Sequence, residues 1–491
     1  MTTPLHSSPH QSDSPPHPLP NWQERYNAHF IITVRVKILD APGNLANLLE
    51  VIGQAGASVG DIRIVDADST HITRDLQLFV VDKSRLEAVI VAIRSRPEVI
   101  LTSTIDDVLD IHRGGAIETR SRVPLNTVMD LRMVYTPGVA SVCSLLADKP
   151  DQAWEYTSKG NRIAIVTNGT AVLGLGNIGA LAGLPVMEGK SAILARFVGM
   201  SADPILIDST DSDEIINIVE KISSNYGAIQ LEDIAAPDCF DIESKLQERL
   251  DIPVFHDDQH GTATVAVAGL INALKQTGRT ASQCTAVILG AGAAGSAIAR
   301  FLVDFGIEDV VVCDSTGAIY EGRPERMNPW KSDLAIHTNP NKVRGSIAEV
   351  MRERTLFIGV SKPNIITGDM VRSMEQDPIV FALANPVSEI PVGDAKRAGA
   401  AIALDGRGMN NALAYPGIFR GTLDVRAKQI TTAMKLAAAN ALADAAQDGL
   451  LPDMLDEGVH EQVAEAVRAA WRMENQDHTF EVPSHRGHAA A

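Results

Sequence analysis

Four carboxylates stand out because they occur as two adjacent pairs. Glu232-Asp233 follows the apolar run Ala228–Leu231, and Asp257-Asp258 follows Pro253–His256, just before a helix that the pattern opens at Gly261. Open α/β sheets place ligands beyond the carboxyl ends of their strands, so both pairs fall where a site is expected. Neighbouring residues of a regular strand point to opposite faces, so both members of a pair serve one site only if the backbone bends there. Four carboxylates in one crevice repel strongly without a cation. An all-oxygen donor set with no Cys in register suits Mg2+ or Mn2+ rather than zinc. Either pair taken alone has a plainer use, as a helix cap.

Two segments match GxGxxG. Gly290, Ala291, Gly292, Ala293, Ala294 and Gly295 follow the strand-like run TAVIL and open a helix, and Asp314 closes the next strand 19 residues after Gly295. This is the complete βαβ context of a dinucleotide site: glycines for the turn and the pyrophosphate approach, a helix N-terminus for its charge, an acid for the ribose. The rival Gly174-Leu-Gly176-Asn-Ile-Gly179 has Val198, Gly199 and Met200 where that acid belongs. It reads instead as a turn where backbone or substrate comes close. Asp314 favours NAD over NADP, because a carboxylate accepts from two ribose hydroxyls and repels a 2′-phosphate. Ser315-Thr316-Gly317 add no cation, although Arg323 could reach back. Tyr135 and Lys190 each flank Gly or Pro in the region that supplies the acids. A Lys ammonium beside Tyr would lower the phenol pKa, and a nearby metal cation would lower that of the lysine.

The elements that must position these groups fall into successive regions. Ile31–Ile38, Val59–Asp66, Asp75–Val81 and Val99–Ile105 read as strands, with helices at Asn44–Gln54 and Ser84–Arg94. That order, βαββαβ, is a ferredoxin-like unit. With Asp40, Pro42, Gly43 and Leu45 at its first strand–helix turn, the stretch 31–106 resembles an ACT domain, which implies a small-metabolite effector near Gly43. A purely dimerising α+β domain fits the same pattern. Further on, Arg162–Val166, Ile205–Asp208, Ala228–Leu231 and Pro253–His256 read as buried parallel strands. A helix at Thr262–Lys275 then leads into strands Thr285–Leu289, Val310–Cys313, Leu356–Val360, Ile379–Ala382 and Ala400–Leu404, and an Ala-rich helical tail runs from Lys428 to about Met473. The fold class is therefore α/β: a Rossmann-type NAD-binding domain and an α/β substrate and metal domain, preceded by the ACT-like domain. The expected boundaries are a disordered lead-in at 1–29, the ACT-like domain at 30–110, a catalytic and metal domain at 113–262, the NAD-binding domain with its helical tail at 263–475, and a polar tail at 476–491.

Composition excludes several classes. The 491 residues carry 43 basic and 61 acidic side chains, a net charge of −18, which argues against a nucleic-acid or anionic-membrane surface. Hydrophobic content of 45% excludes wholesale disorder, and no apolar run is long enough to span a bilayer. The first twenty residues lack a basic n-region and an apolar h-region, so they do not read as a secretory signal. Metal binding by His6, His10 and His17 is the lesser reading of that stretch. Cys143, Cys239, Cys284 and Cys313 lack metal spacing and read as reduced thiols of a cytoplasmic protein.

Taken together, YTPGVA, LGLGNIG, EGK, LEDI, FHDDQHGTA, LGAGAAG, ALANPVSEI and MNNALAYPG resemble, in order over about residues 113–440, a malic enzyme of the small-subunit bacterial type. The resemblance implies Tyr135 as general acid and Lys190 as general base, with Asp257 supporting Lys190. It implies Glu232, Asp233 and Asp258 as ligands of Mg2+ or Mn2+, and Asn385 and Asn411 at malate or the nicotinamide end. The implied reaction is oxidative decarboxylation of (S)-malate to pyruvate and CO2: Lys190 takes the C2 hydroxyl proton as hydride leaves for NAD+, and Tyr135 protonates C3. A homodimer or higher homo-oligomer is the expected assembly. Two departures stand out. The segment from Asp405 to Asn411 is shorter than in many relatives, and Thr170-Ala171 stands where larger malic enzymes carry an Arg for the substrate carboxylate. The rival functions are a malolactic enzyme, an amino-acid dehydrogenase, in which the paired acids have no role, and a non-catalytic metabolite sensor.

Overall fold

The computed structural model describes residues 30–172 and 174–475 and divides into two compact units, Met1–Ala116 and Ile117–Ala491. The expected lead-in, its three histidines and the polar tail lie outside the described residues.

In the first unit, β1 (Phe30–Leu39), α1 (Asn44–Gln54), β2 (Ser58–Ala67), β3 (His71–Val80), α2 (Lys83–Arg94) and β4 (Val99–Asp106) follow the βαββαβ order. The strands form an antiparallel sheet in the order β2-β3-β1-β4. Alternation explains it: Ile32, Val34, Val36 and Ile38 point to one face of β1 and pack with Leu48, Ile52, Val89 and Ile93 of the two helices. Gly43 takes φ 91° at the start of α1, a left-handed turn that favours glycine.

The second unit opens with α3 (Val128–Val134) and α4 (Val139–Asp148), neither of which buries a residue. It continues through β5 (Arg162–Thr167), α5 (Leu184–Val198), β6 (Ser201–Leu206), α6 (Ser212–Ile222), β7 (Ala228–Leu231), α7 (Asp238–Arg249), β8 (Val254–His256) and α8 (Asp257–Thr277). The four strands form a parallel sheet in the order β6-β5-β7-β8. A second sheet has the order β11-β10-β9-β12-β13-β14. Its strands are β9 (Thr285–Leu289), β10 (Asp309–Asp314), β11 (Gly317–Ala318), β12 (Leu356–Gly359), β13 (Ile379–Ala382) and β14 (Ile402–Asp405), all parallel except the β10–β11 pair. Helices α9 (Ala293–Phe305) and α10 (Pro329–His337) flank it, and α11 (Tyr415–Asp424), α12 (Thr432–Ala445) and α13 (Glu457–Glu474) complete the chain. Strands such as IAIV and AVIL read as unbroken apolar runs because both faces are covered. One core joins Ile163 and Ile165 of the first sheet to Ala286 and Ile288 of the second, with the apolar body of α8 between them.

Three elements differ from the sequence expectation. The strand placed at Ile205–Asp208 is Ser201–Leu206, and it contains Pro204; as an edge strand it tolerates a residue without an N–H. The helix placed at Thr262 begins at Asp257, so the second acidic pair forms its first turn, where the helix dipole favours negative charge. It therefore runs unbroken across the boundary expected at 262–263. The tail is two helices, interrupted around Gly449 and Pro452, which cannot continue a helix.

Candidate active site

The ends of β7 and β8 bring the two acidic pairs together. Past β7 the chain bends: Asp233 takes φ 53°, which releases Glu232-Asp233 from strand alternation and lets both carboxylates serve one crevice. The Asp233 backbone N–H donates to Asp258 Oδ2 at 2.9 Å, tying the first pair to the start of α8. Glu232, Asp233 and Asp258 each offer an oxygen, and the three atoms lie within 4.8 Å of one another. Glu232 and Asp233 are buried and Asp258 is half-buried. Gln230 donates to Glu232 Oε2 at 2.9 Å and fixes its carboxylate plane.

Lys190, on α5, faces this cluster. Its Nζ donates to Asp257 Oδ2 at 2.5 Å and lies 2.9 Å from Glu232 Oε1. Burial alone would lower the Lys190 pKa, but Asp257 and Glu232 outweigh it and hold the ammonium. Burial pushes the Glu232 pKa well up; Lys190 opposes this, and the crowding of Asp258, Asp257 and Asp233 adds to it. Four carboxylates thus share one ammonium, and Asp257 Oδ1 is buried without a hydrogen-bond partner. A hard divalent cation fits this donor set on charge and on ligand chemistry.

The other expected residues fall in different places. Asn411 approaches Asp257 across Gly261, where a Cβ would meet Asp257 Oδ1 and come within 3.3 Å of the Asn411 side chain. Asn385 follows β13, and its carbonyl lies 2.5 Å from where a Cβ on Gly174 would stand. The LGLGNIG segment is thus a turn of close backbone approach, with Gly174, Gly176 and Gly179 all at positive φ. Glu389 anchors the Asn385 loop by accepting from the Ser361 and Ala384 backbone N–H groups at 2.7 and 3.1 Å. Tyr135 departs from expectation. Its side chain is 66% exposed at the end of α3, and the aromatic ring beside Lys190 is that of Tyr415, 4.8 Å from Nζ to the centroid. Thr170, in the position without an Arg, joins two loops: it donates to Asn168 Oδ1 at 2.7 Å and accepts from Ala235 N–H at 2.9 Å.

A buried network behind the acids had no motif to announce it. Glu243 on α7 accepts from the His256 backbone N–H at 2.8 Å and from Gln259 at 2.9 Å, and its carboxylate lies 3.1 Å from His260 Nε2. Burial would raise the Glu243 pKa, but the His260 ring and these donors outweigh it and bring it to about 2. The only sequence signal was an acid among the buried positions of an amphipathic helix.

The dinucleotide motif stands where its glycines are needed. Gly290 has φ 125°, and a Cβ there would stand 2.6 Å from the Val360 carbonyl; one on Gly295 would strike the Gly290 carbonyl. Gly292, just before α9, has open space instead, which leaves the helix N-terminus free to receive a pyrophosphate. Arg323 does reach back: it grips Asp314 with two nitrogens, at 2.9 and 2.5 Å.

A parallel sheet carrying a carboxylate cluster beside a buried lysine, joined to a Rossmann-type dinucleotide sheet, defines a metal-assisted dehydrogenase architecture. The chain belongs to the malic enzyme family and carries an N-terminal ACT domain. Residues 115–213 match the malic enzyme N-terminal domain, 259–396 the malic enzyme NAD binding domain, and 26–101 the ACT domain. It is 47% identical over 378 residues to the bifunctional malic/malolactic enzyme of Bacillus subtilis, covering 74% of this chain and 92% of the relative. Identity to the NAD-dependent malic enzyme of Geobacillus stearothermophilus is 41% over 455 residues, covering 90% of this chain and 94% of that one. The crystal structure of the NAD-dependent malic enzyme of Thermotoga maritima superposes with a TM-score of 0.72 at 41% identity, over 74% of this chain and 99% of that one. No described helix is long and apolar enough to cross a membrane.

Proposed function

We propose that the chain catalyses the oxidative decarboxylation of (S)-malate to pyruvate and CO2 in the cytoplasm, with NAD+ as hydride acceptor and Mg2+ or Mn2+ held by Glu232, Asp233 and Asp258. One arrangement carries this reading: a buried lysine shared between Asp257 and Glu232, the latter also a member of the three-carboxylate cluster. Lys190 is the base for the C2 hydroxyl proton. Asp257, 2.5 Å away, holds Nζ in place and takes part in passing its proton on. The metal, when bound, supplies polarisation of the C2 oxygen and charge balance for the carboxylates. Balancing that charge weakens the hold of the acids on the Lys190 proton. Asn385 and Asn411 are the substrate-side contacts. Tyr135 remains the donor of the C3 proton, which requires the α3–α4 segment to stand over the site in the working assembly.

The exposed apolar side chains of that segment, among them Val128, Leu131 and Met133, support a homo-oligomer. Sedimentation at the mass of a single chain would refute this. The ACT domain supports an amino acid or similar small metabolite as effector near Gly43. Malolactic conversion, which releases lactate while the dinucleotide stays bound, is the lesser reading, motivated by the bifunctional relative. Initial rates with malate and NAD+, with and without Mn2+, test the main reading. NADH and pyruvate should form only with metal; binding without turnover would sink it, and lactate as the main product would reverse the order of the two.

A further inference from the structure

Asp314 stands at the strand end where an acid normally reads the ribose of NAD. A carboxylate offers about four lone-pair directions, two on each oxygen. Here all of them are occupied. Oδ1 accepts from Arg323 Nη1 at 2.9 Å and from the Thr316 backbone N–H at 2.8 Å; Oδ2 accepts from Arg323 Nη2 at 2.5 Å and from Lys331 Nζ at 2.7 Å. The carboxylate therefore has nothing left with which to accept from two ribose hydroxyls.

Its charge is also overturned. Arg323 and Lys331 together outweigh the single negative charge, and Arg326 adds another cation, its Nη1 donating to Ser315 Oγ at 3.1 Å. Arg323 is buried behind Asp314, whereas Arg326 is exposed and Lys331 is partly so. The loop after β10 thus shows the dinucleotide a positive rim in place of a bare acid. The sequence argument for NAD assumed a free carboxylate, and the folded loop removes that assumption.

We propose that this subsite accepts a 2′-phosphate, so that the protein uses NADP+ as well as NAD+, with Arg326 and Lys331 as the phosphate contacts and Asp314 as the scaffold that aims them. The proposal rests on the reading of Gly290–Gly295 as the dinucleotide cradle, and it concerns only the adenosine end. A phosphate dianion facing exposed cations gains from charge-assisted hydrogen bonds and weakens with added salt.

Direct binding tests it apart from turnover. NADH and NADPH are titrated against the full-length protein by ligand fluorescence at low and moderate salt. Adenosine 2′,5′-bisphosphate and AMP are then tested as competitors. The expected dissociation constants for NADPH and NADH lie within about tenfold of each other, with the NADPH value the more salt-sensitive. The bisphosphate should compete better than AMP. In the double variant R326A/K331A, the ratio of NADPH to NADH dissociation constants should rise at least about tenfold, and R326K/K331R should keep it near the starting value. NADPH bound more than about a hundredfold more weakly than NADH by the unmodified protein would overturn the proposal and leave the cradle intact. An unchanged ratio in the double variant would overturn the assignment of these two residues. If neither dinucleotide binds, the cradle reading itself falls, and this inference with it.

Discussion

Replacing Lys190 by Met tests the charge arrangement of the site most directly. Met keeps much of the stem and removes the ammonium that Asp257 and Glu232 share. Both carboxylates are almost wholly buried, and taking away one partner of a buried ion pair costs about 3–5 kcal/mol. For a unit of about 375 residues unfolding with about 2.1 cal/mol/K per residue, that loss lowers the melting temperature by about 4–6 °C. The assay is differential scanning calorimetry in EDTA and again with Mn2+. Mn2+ at the carboxylate cluster replaces part of the missing charge, so it should raise the melting temperature of K190M more than that of the unmodified protein. Adding Asp257→Asn removes one stranded charge, and the double variant should be less destabilised than the two single changes summed. Turnover should fall by about 10²–10⁴-fold, the usual share of a general base. A K190M melting temperature within about 1 °C of the unmodified protein in EDTA, or strict additivity in the cycle, would refute the ion-pair argument.

The cradle glycines separate stability from binding. Gly295→Val should destabilise by about 1–3 kcal/mol, because its Cβ meets the Gly290 carbonyl. Gly292→Val should melt normally yet weaken NADH binding by about tenfold or more, since its side chain enters the space left for the pyrophosphate; the reverse pattern would mean the motif is misread. Asp233→Asn keeps a residue that tolerates φ 53° but loses a charge, so Mn2+ affinity followed by electron paramagnetic resonance should drop about tenfold or more with the fold intact. Unchanged affinity would remove Asp233 from the ligand set. Deleting residues 1–116 should leave the second unit folded and abolish any response to amino acids; a full-length protein indifferent to the whole amino-acid panel would refute the effector reading.

Much of the architecture was legible because burial on both faces writes itself as unbroken apolar strands, and because glycines mark turns that other residues resist. The βαββαβ order and the βαβ unit around Gly290–Gly295 came from those signals alone. Contacts that depend on the chain folding back were not legible. Arg323 and Lys331 lie 9 and 17 residues from Asp314, and nothing in their spacing told that both would close on it. Glu243 was hidden for a similar reason: its partners His256, Gln259 and His260 meet it only once α7 and α8 pack. Tyr135 shows the opposite limit. YTPGVA marks a turn well, but a turn motif does not say which surface the following side chain will meet.

The uninterrupted helix α8 carries a constraint of phase. Its first turn holds Asp257 and Asp258, and its remaining turns pack against α9 and α12 beside the second sheet. Each residue advances a helix by about 1.5 Å and turns it by about 100°. One residue inserted near Val267 would therefore leave the packed half in place and swing both acids about a quarter-turn or more away from Lys190. Length along this stretch is as tightly specified as identity. The loop between α12 and α13 carries no such angular register, and a change of length there alters only the path between two helices.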